Sequence, residues 1–171
     1  NVPKLFALGM VLGVAGTLLV VVWERITFPG LLNFNDVYRV TGPFSQMHVG
    51  GADVETYLTI GTPFLVMLLF DKSSLWLRIA CALLLLVTTY GVMVTFSRVG
   101  YLGFGVAFTL ALLAVIIKRS DNKPIQLFNR AAIPLMLFLA VLGVGTPIFY
   151  SQFAQERLGL ISTDLTARQS H

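Results

Sequence analysis

The sequence predicts an all-α fold, a polytopic transmembrane helical bundle. Three observations predict it. The chain of 171 residues is 56% hydrophobic. Only 12% of it is charged, against about 25% in an ordinary soluble domain. Its apolar runs are long and unbroken, whereas barrel strands alternate over about ten residues. Together these exclude a soluble globular protein, a disordered tail and a typical nucleic-acid binder. A mean hydropathy of +0.82 agrees.

A transmembrane helix needs about 20 apolar residues. Five segments qualify, and all are assigned to one transmembrane domain, 1–171. The first runs from Leu5 to Trp23 without a charge. The second lies near 53–70 and contains Gly61-Thr62-Pro63, so a kink is expected. The third lies near 76–96, the fourth near 99–117 and the fifth near 131–150. An outer loop fills 24–52 and an outer tail 151–171. The sequence opens on Asn1 without a Met and stops at His171 within a polar stretch. We therefore expect an internal fragment of a larger membrane protein.

Five spans make the links alternate between two sides. Lys4, Lys72, Arg78, Lys118, Arg119, Lys123 and Arg130 then share one side with Asp71 and Asp121. Arg25, Arg39, Arg98, Arg157 and Arg168 share the other with six acidic residues. The positive-inside rule puts the first side in the cytoplasm. Every lysine falls there, and every outer basic residue is an arginine. Arginine offers a planar fork matched to phosphate oxygens. His48 and His171 are also outer, so function is expected on the outer face.

Cys81 sits in an apolar run and reads as a small buried hydrophobe. Gly9, Gly13 and Gly16, then Gly103 and Ala107, recur at helix-packing spacing. Gly100-x-x-Gly103-x-Gly105 lies within a span and follows no strand, so it reads as packing, not as a nucleotide loop. No metal site and no cofactor are expected, because the histidines are far apart and no acidic pair has ligand spacing.

Three stretches can carry chemistry. Thr95-Phe96-Ser97-Arg98-Val99-Gly100-Tyr101 joins two spans with almost no loop. Arg98 therefore sits at the outer rim, where it either snorkels to lipid phosphate or holds an anionic substrate group. Ser97 reads as a helix cap. The loop Asp36 to Asp53 contains Arg39, Gly42-Pro43, His48 and Gly50-Gly51. Arg39 and His48 are candidate ligand contacts, against a plain interfacial loop with Arg39 paired to Asp36. In the tail, Ser162-Thr163-Asp164 reads as a helix cap with Arg168 just beyond it.

These residues resemble a known family. Thr95-Phe96-Ser97-Arg98 followed by Gly100 resembles the Ser-Arg-Gly signature of the O-antigen ligase and polymerase superfamily. Arg39-Val40-Thr41-Gly42-Pro43-Phe44, then Tyr57-Leu58 and Pro63, resembles that family's segment before the preceding helix. Asp164 and Arg168 resemble its second arginine motif. One stretch departs: Ser45–Gly51 stands where the family often has Pro-Asn, which leaves the subfamily and the role of His48 open.

The resemblance implies a GT-C-like glycosyltransferase of the bacterial inner membrane. Such enzymes move a glycan from undecaprenyl pyrophosphate at the periplasmic face. Acceptors are lipid A-core, a growing polysaccharide or a protein. Arg98 and Arg168 would bind the pyrophosphate, with Arg39, His48 and Ser97 as further contacts. The family's catalytic histidine falls in a later segment, beyond His171. Two converging arginines would neutralise the leaving group without a metal.

Ligase, polymerase and protein O-glycosylation ligase are not separated by these motifs. A transporter of lipid-linked sugars is a different class. No charge near the middle of any span argues against a translocation path. A structural subunit without a site is the third reading. It requires that the outer arginines be freely replaceable.

Overall fold

The computed structural model describes residues 2–34, 38–44, 52–71 and 74–119, together with the single positions 139, 143, 146 and 150. Four helices are present among them: α1 (Val2–Thr27), α2 (Ala52–Phe70), α3 (Leu75–Met93) and α4 (Arg98–Arg119). Each contains a stretch long and apolar enough to cross a membrane. The expected fifth span, 131–150, and the tail 151–171 lie outside the described residues, apart from helical positions at Leu139, Gly143 and Thr146.

The helices alternate in direction. Lys4 at the start of α1 pairs with Asp71 after α2 at 2.7 Å. Arg78 at the start of α3 donates to the backbone carbonyl of Asp71 from Nε and Nη2, at 3.0 and 2.7 Å. These groups mark one end of the bundle. The end of α1, the start of α2, the end of α3 and the start of α4 meet at the opposite end. The described charges thus divide between the two ends as the alternation of spans requires.

Helix bounds differ from the expected spans for local reasons. At 26 residues, α1 is about 39 Å long, more than the roughly 30 Å hydrocarbon layer. Glu24 and Arg25, expected in a loop, therefore belong to its last turns. It stops where Gly30, at φ +92°, donates its N–H back to the Arg25 carbonyl at 2.7 Å. α2 continues through Pro63 as one helix. α3 ends at Met93 rather than near residue 96. Thr95 and Phe96 donate to the Val92 and Met93 carbonyls, and Phe96 takes φ +51°. That tight turn re-aims the chain into α4.

α2 packs against the other three helices. Close approach rests on glycines. A side chain at Gly13 would collide with Tyr57, and one at Gly61 with Val14. Nothing lies within 4 Å of the corresponding position at Gly9 or Gly16. Of the three predicted packing glycines in α1, one makes the contact. Leu18, Leu58, Leu65, Leu85 and Val92 fill the interior.

Hydroxyls within the helices are satisfied at home. Thr62, Thr88 and Thr89 donate to the Leu58, Leu84 and Leu85 carbonyls at 2.7–2.9 Å. Polar groups without water must be satisfied this way. The outward faces carry exposed Leu12, Leu19, Leu83, Leu102, Val106 and Leu110. Exposed Trp23 and Trp76 stand near opposite ends, where indoles favour membrane interfaces.

Candidate functional site

The chemistry gathers where α1 and α3 end and α2 and α4 begin. Glu24 and Arg25 are adjacent in sequence, yet both are buried, at 6% and 0% exposure. Adjacent helical residues point about 100° apart, so they serve different segments of the following loop.

Glu24 holds the second half of that loop. Its Oε1 accepts from the Tyr38 hydroxyl at 2.7 Å and from the Thr41 N–H at 3.0 Å. Its Oε2 accepts from the Gly42 N–H at 2.7 Å. Successive backbone N–H groups around one carboxylate form an anion nest. Gly42, at φ +56°, allows the turn, which closes through the Phe44 N–H to the Thr41 carbonyl at 3.2 Å. Burial first, and then the bond to Glu24, push the Tyr38 phenol from 10.0 up to about 12.

Arg25 holds the first half. Nη2 donates to the Asn33 carbonyl at 2.6 Å, and Nε reaches the Tyr90 hydroxyl at 3.4 Å. Tyr90 in turn donates to the Leu31 carbonyl at 2.7 Å. The guanidinium lies 5.9 Å from the Phe34 ring centre, within cation–π range.

The loop thus held delivers Arg39 to the turn between α3 and α4. Arg39 is half-buried, and its Nε donates to the Thr95 carbonyl at 2.9 Å. The Tyr101 hydroxyl takes the Met93 carbonyl at 2.7 Å, and Thr95 Oγ1 takes that of Val92 at 2.7 Å. The Val92 and Met93 carbonyls at the end of α3, which lack the usual partner four residues on, are closed by the N–H groups of the turn and by these side chains. Ser97 follows as the expected cap of α4: its Oγ accepts the Gly100 N–H at 3.2 Å. Its hydroxyl donates to Glu55 Oε1 at 2.5 Å.

Ser97 thus makes one half of a capping box. The usual form adds Glu or Gln three residues after the cap, accepting from the cap's backbone N–H. Here that place is Gly100, and Glu55 on α2 instead accepts from the Ser97 hydroxyl. A Cβ on Gly100 would fall 3.0 Å from Glu55 Cβ and 3.1 Å from Oε2. Glycine leaves the room that Glu55 fills.

The structure therefore brings three expected site residues, Arg39, Ser97 and Arg98, to one end of the bundle. Arg98 is half-buried and opens α4. His48 and Arg168 lie outside the described residues. So does Asp36, the expected partner of Arg39. Glu24, Arg25, Glu55 and Tyr38 were missed as site residues. A charge directly after an apolar run reads as interfacial, and only the α1–loop packing makes Glu24 and Arg25 interior.

Comparison with family models, with curated proteins and with solved structures gives no match.

Proposed function

We propose that this chain is part of a metal-independent glycosyltransferase of O-antigen ligase or polymerase type, with a GT-C-like arrangement of about five spans. It moves a glycan from undecaprenyl pyrophosphate to a lipid A-core, polysaccharide or protein acceptor. The site faces the periplasm from the bacterial inner membrane. One observation carries the reading. Two stretches of the resemblance, 56 residues apart, meet through the Arg39–Thr95 bond directly before Ser97-Arg98.

The chemistry fits that place. Arg98 stands in the first turn of α4, where the helix dipole and free N–H groups favour anions. A guanidinium fork there takes two phosphate oxygens at once. Charge grows on the pyrophosphate as the glycosidic bond breaks, so a fixed cation stabilises the transition state more than the ground state. Arg168 supplies the second cation in this proposal. The acceptor hydroxyl is activated by a base outside this sequence.

The test is glycan transfer from an undecaprenyl-pyrophosphate donor by the intact protein in membranes, at matched expression. Arg98→Ala and Arg168→Ala are expected to lose transfer, and Arg98→Lys to rescue poorly. Normal transfer by all three variants would make these arginines interfacial anchors and overturn the site. Flipping of lipid-linked sugar without transfer would favour the transporter reading.

A further inference from the structure

The first half of the loop between α1 and α2 is turned inside out. From Trp23 to Phe34 the only charged residues are Glu24 and Arg25, and both are buried. The large exposed side chains are apolar: Trp23, Ile26, Phe28, Leu31 and Leu32, the last at 83% exposure. A segment surrounded by water shows the opposite arrangement. Charges inside and a contiguous apolar surface outside suit contact with lipid.

The backbone fits that surrounding. The Phe28 and Gly30 N–H groups donate to the Glu24 and Arg25 carbonyls at 3.1 and 2.7 Å, and Pro29 has no N–H. The Leu31 carbonyl accepts from the Tyr90 hydroxyl at 2.7 Å, and the Asn33 carbonyl from Arg25 Nη2 at 2.6 Å. Thr27 returns its hydroxyl to the Trp23 carbonyl at 2.8 Å. Irregular backbone lies at membrane depth only where protein satisfies its polar groups. Arg25 and Tyr90 supply that satisfaction here.

Two further observations set the level. Leu5, Leu12, Leu19 and Ile26 are all exposed and recur every seven residues on α1. Seven residues are about two turns, so they form one outward stripe, and it runs directly into the segment. α2 and α3 have 19 residues each, about 28 Å, which matches the hydrocarbon layer. α1 outlasts them by about 10 Å, and the chain leaves the helix at Gly30 within that excess. Exposed Thr27 and Asn33 suit the headgroup level rather than the hydrocarbon.

We propose that residues 26–32 are a lipid anchor. Ile26, Phe28, Leu31 and Leu32 enter the headgroup–acyl boundary at this end of the bundle, and Arg25 with Tyr90 close the backbone behind them. The outward face carries no charge, so zwitterionic lipid is a sufficient partner. The anchor holds whether or not the protein transfers glycans, and it seats the loop whose later part carries Arg39.

Nitroxide labelling of the intact protein in phosphatidylcholine vesicles tests this, with Cys81 and any other native cysteine replaced. Leu32→Cys carries the label. Leu12→Cys, in the middle of α1, is the deep standard. Both side chains are strongly exposed, so the fold tolerates the changes. Oxygen concentrates in lipid, and a nickel chelate stays in water. The label at position 32 is expected to collide with oxygen more than with nickel, at about 5–10 Å into the boundary and shallower than position 12. Collision mainly with nickel would place the segment in water and overturn the anchor. Slow collision with both would overturn it in favour of a protein neighbour, another span or a second copy. Tyr90→Phe keeps the ring that meets Phe34 and leaves the Leu31 carbonyl without its donor. It is expected to shift the label at position 32 toward nickel. An unmoved label would overturn Tyr90 as the group that admits this backbone to lipid.

Discussion

Arg39 and Thr95 lie 56 residues apart in the chain, and the Arg39 Nε–H meets the Thr95 carbonyl at 2.9 Å. Thr95 is fully buried, so its carbonyl has no water to replace that donor. The bond fixes the loop between α1 and α2 on the turn that presents Ser97 and Arg98. Arg39→Ala should destabilise the protein by about 1.5–3 kcal/mol, the range for a bond to a charged donor. Arg39→Lys should recover only part of it, because an ammonium lacks the directed Nε–H. Thermal unfolding in detergent measures both. Limited proteolysis should cut the loop faster in the alanine variant.

Glu24 is the second anchor of that loop. Glu24→Ala leaves the buried N–H groups of Thr41 and Gly42 without an acceptor. At about 1–3 kcal/mol for each unmatched group, the variant should be the least stable of those named here. Glu24→Gln keeps one acceptor oxygen and should fall between. An unchanged melting temperature for both would mean that the loop is held by other contacts, such as the Phe28–Tyr38 stack at 5.4 Å.

Tyr38 gives a pH signature. Its phenol ionises at about 12 in the fold against 10.0 in an exposed chain. The folded value is the higher one, so the fold favours the protonated phenol. Its contribution to stability is complete below pH 10 and is lost as pH rises through about 12. Titration of tyrosine absorbance near 295 nm should show a phenol ionising at about pH 12, and Tyr38→Phe should remove that component.

Gly100 and Gly103 lie one helical turn apart and should respond in opposite ways to alanine. A methyl at Gly100 falls 3.0–3.1 Å from three Glu55 atoms and must displace a buried side chain, at a cost of about 1–3 kcal/mol. A methyl at Gly103 meets Thr59 Cγ2 at an ordinary 3.6 Å and should be nearly neutral or gain helix propensity. Paired melting curves decide it. Equal shifts would mean that Gly100 does not make room for Glu55.

Composition and apolar run length determined the helical bundle, because a bilayer admits few backbones and helices satisfy their own hydrogen bonds. Charge alternation determined which polar residues share an end, since spans reverse direction one by one. Ser97 as a cap was legible, because capping is local chemistry between a side chain and an N–H three residues on. Glu24, Arg25 and Glu55 were not legible as a site. Their partners are a loop turn, a backbone carbonyl with a tyrosine hydroxyl, and the serine that caps another helix. No local rule says that charges at the edge of an apolar run turn inward. Only packing decided it: α1 runs about one turn past its apolar stretch, and Gly100 lets α4 come close enough for Glu55 of α2 to reach its cap.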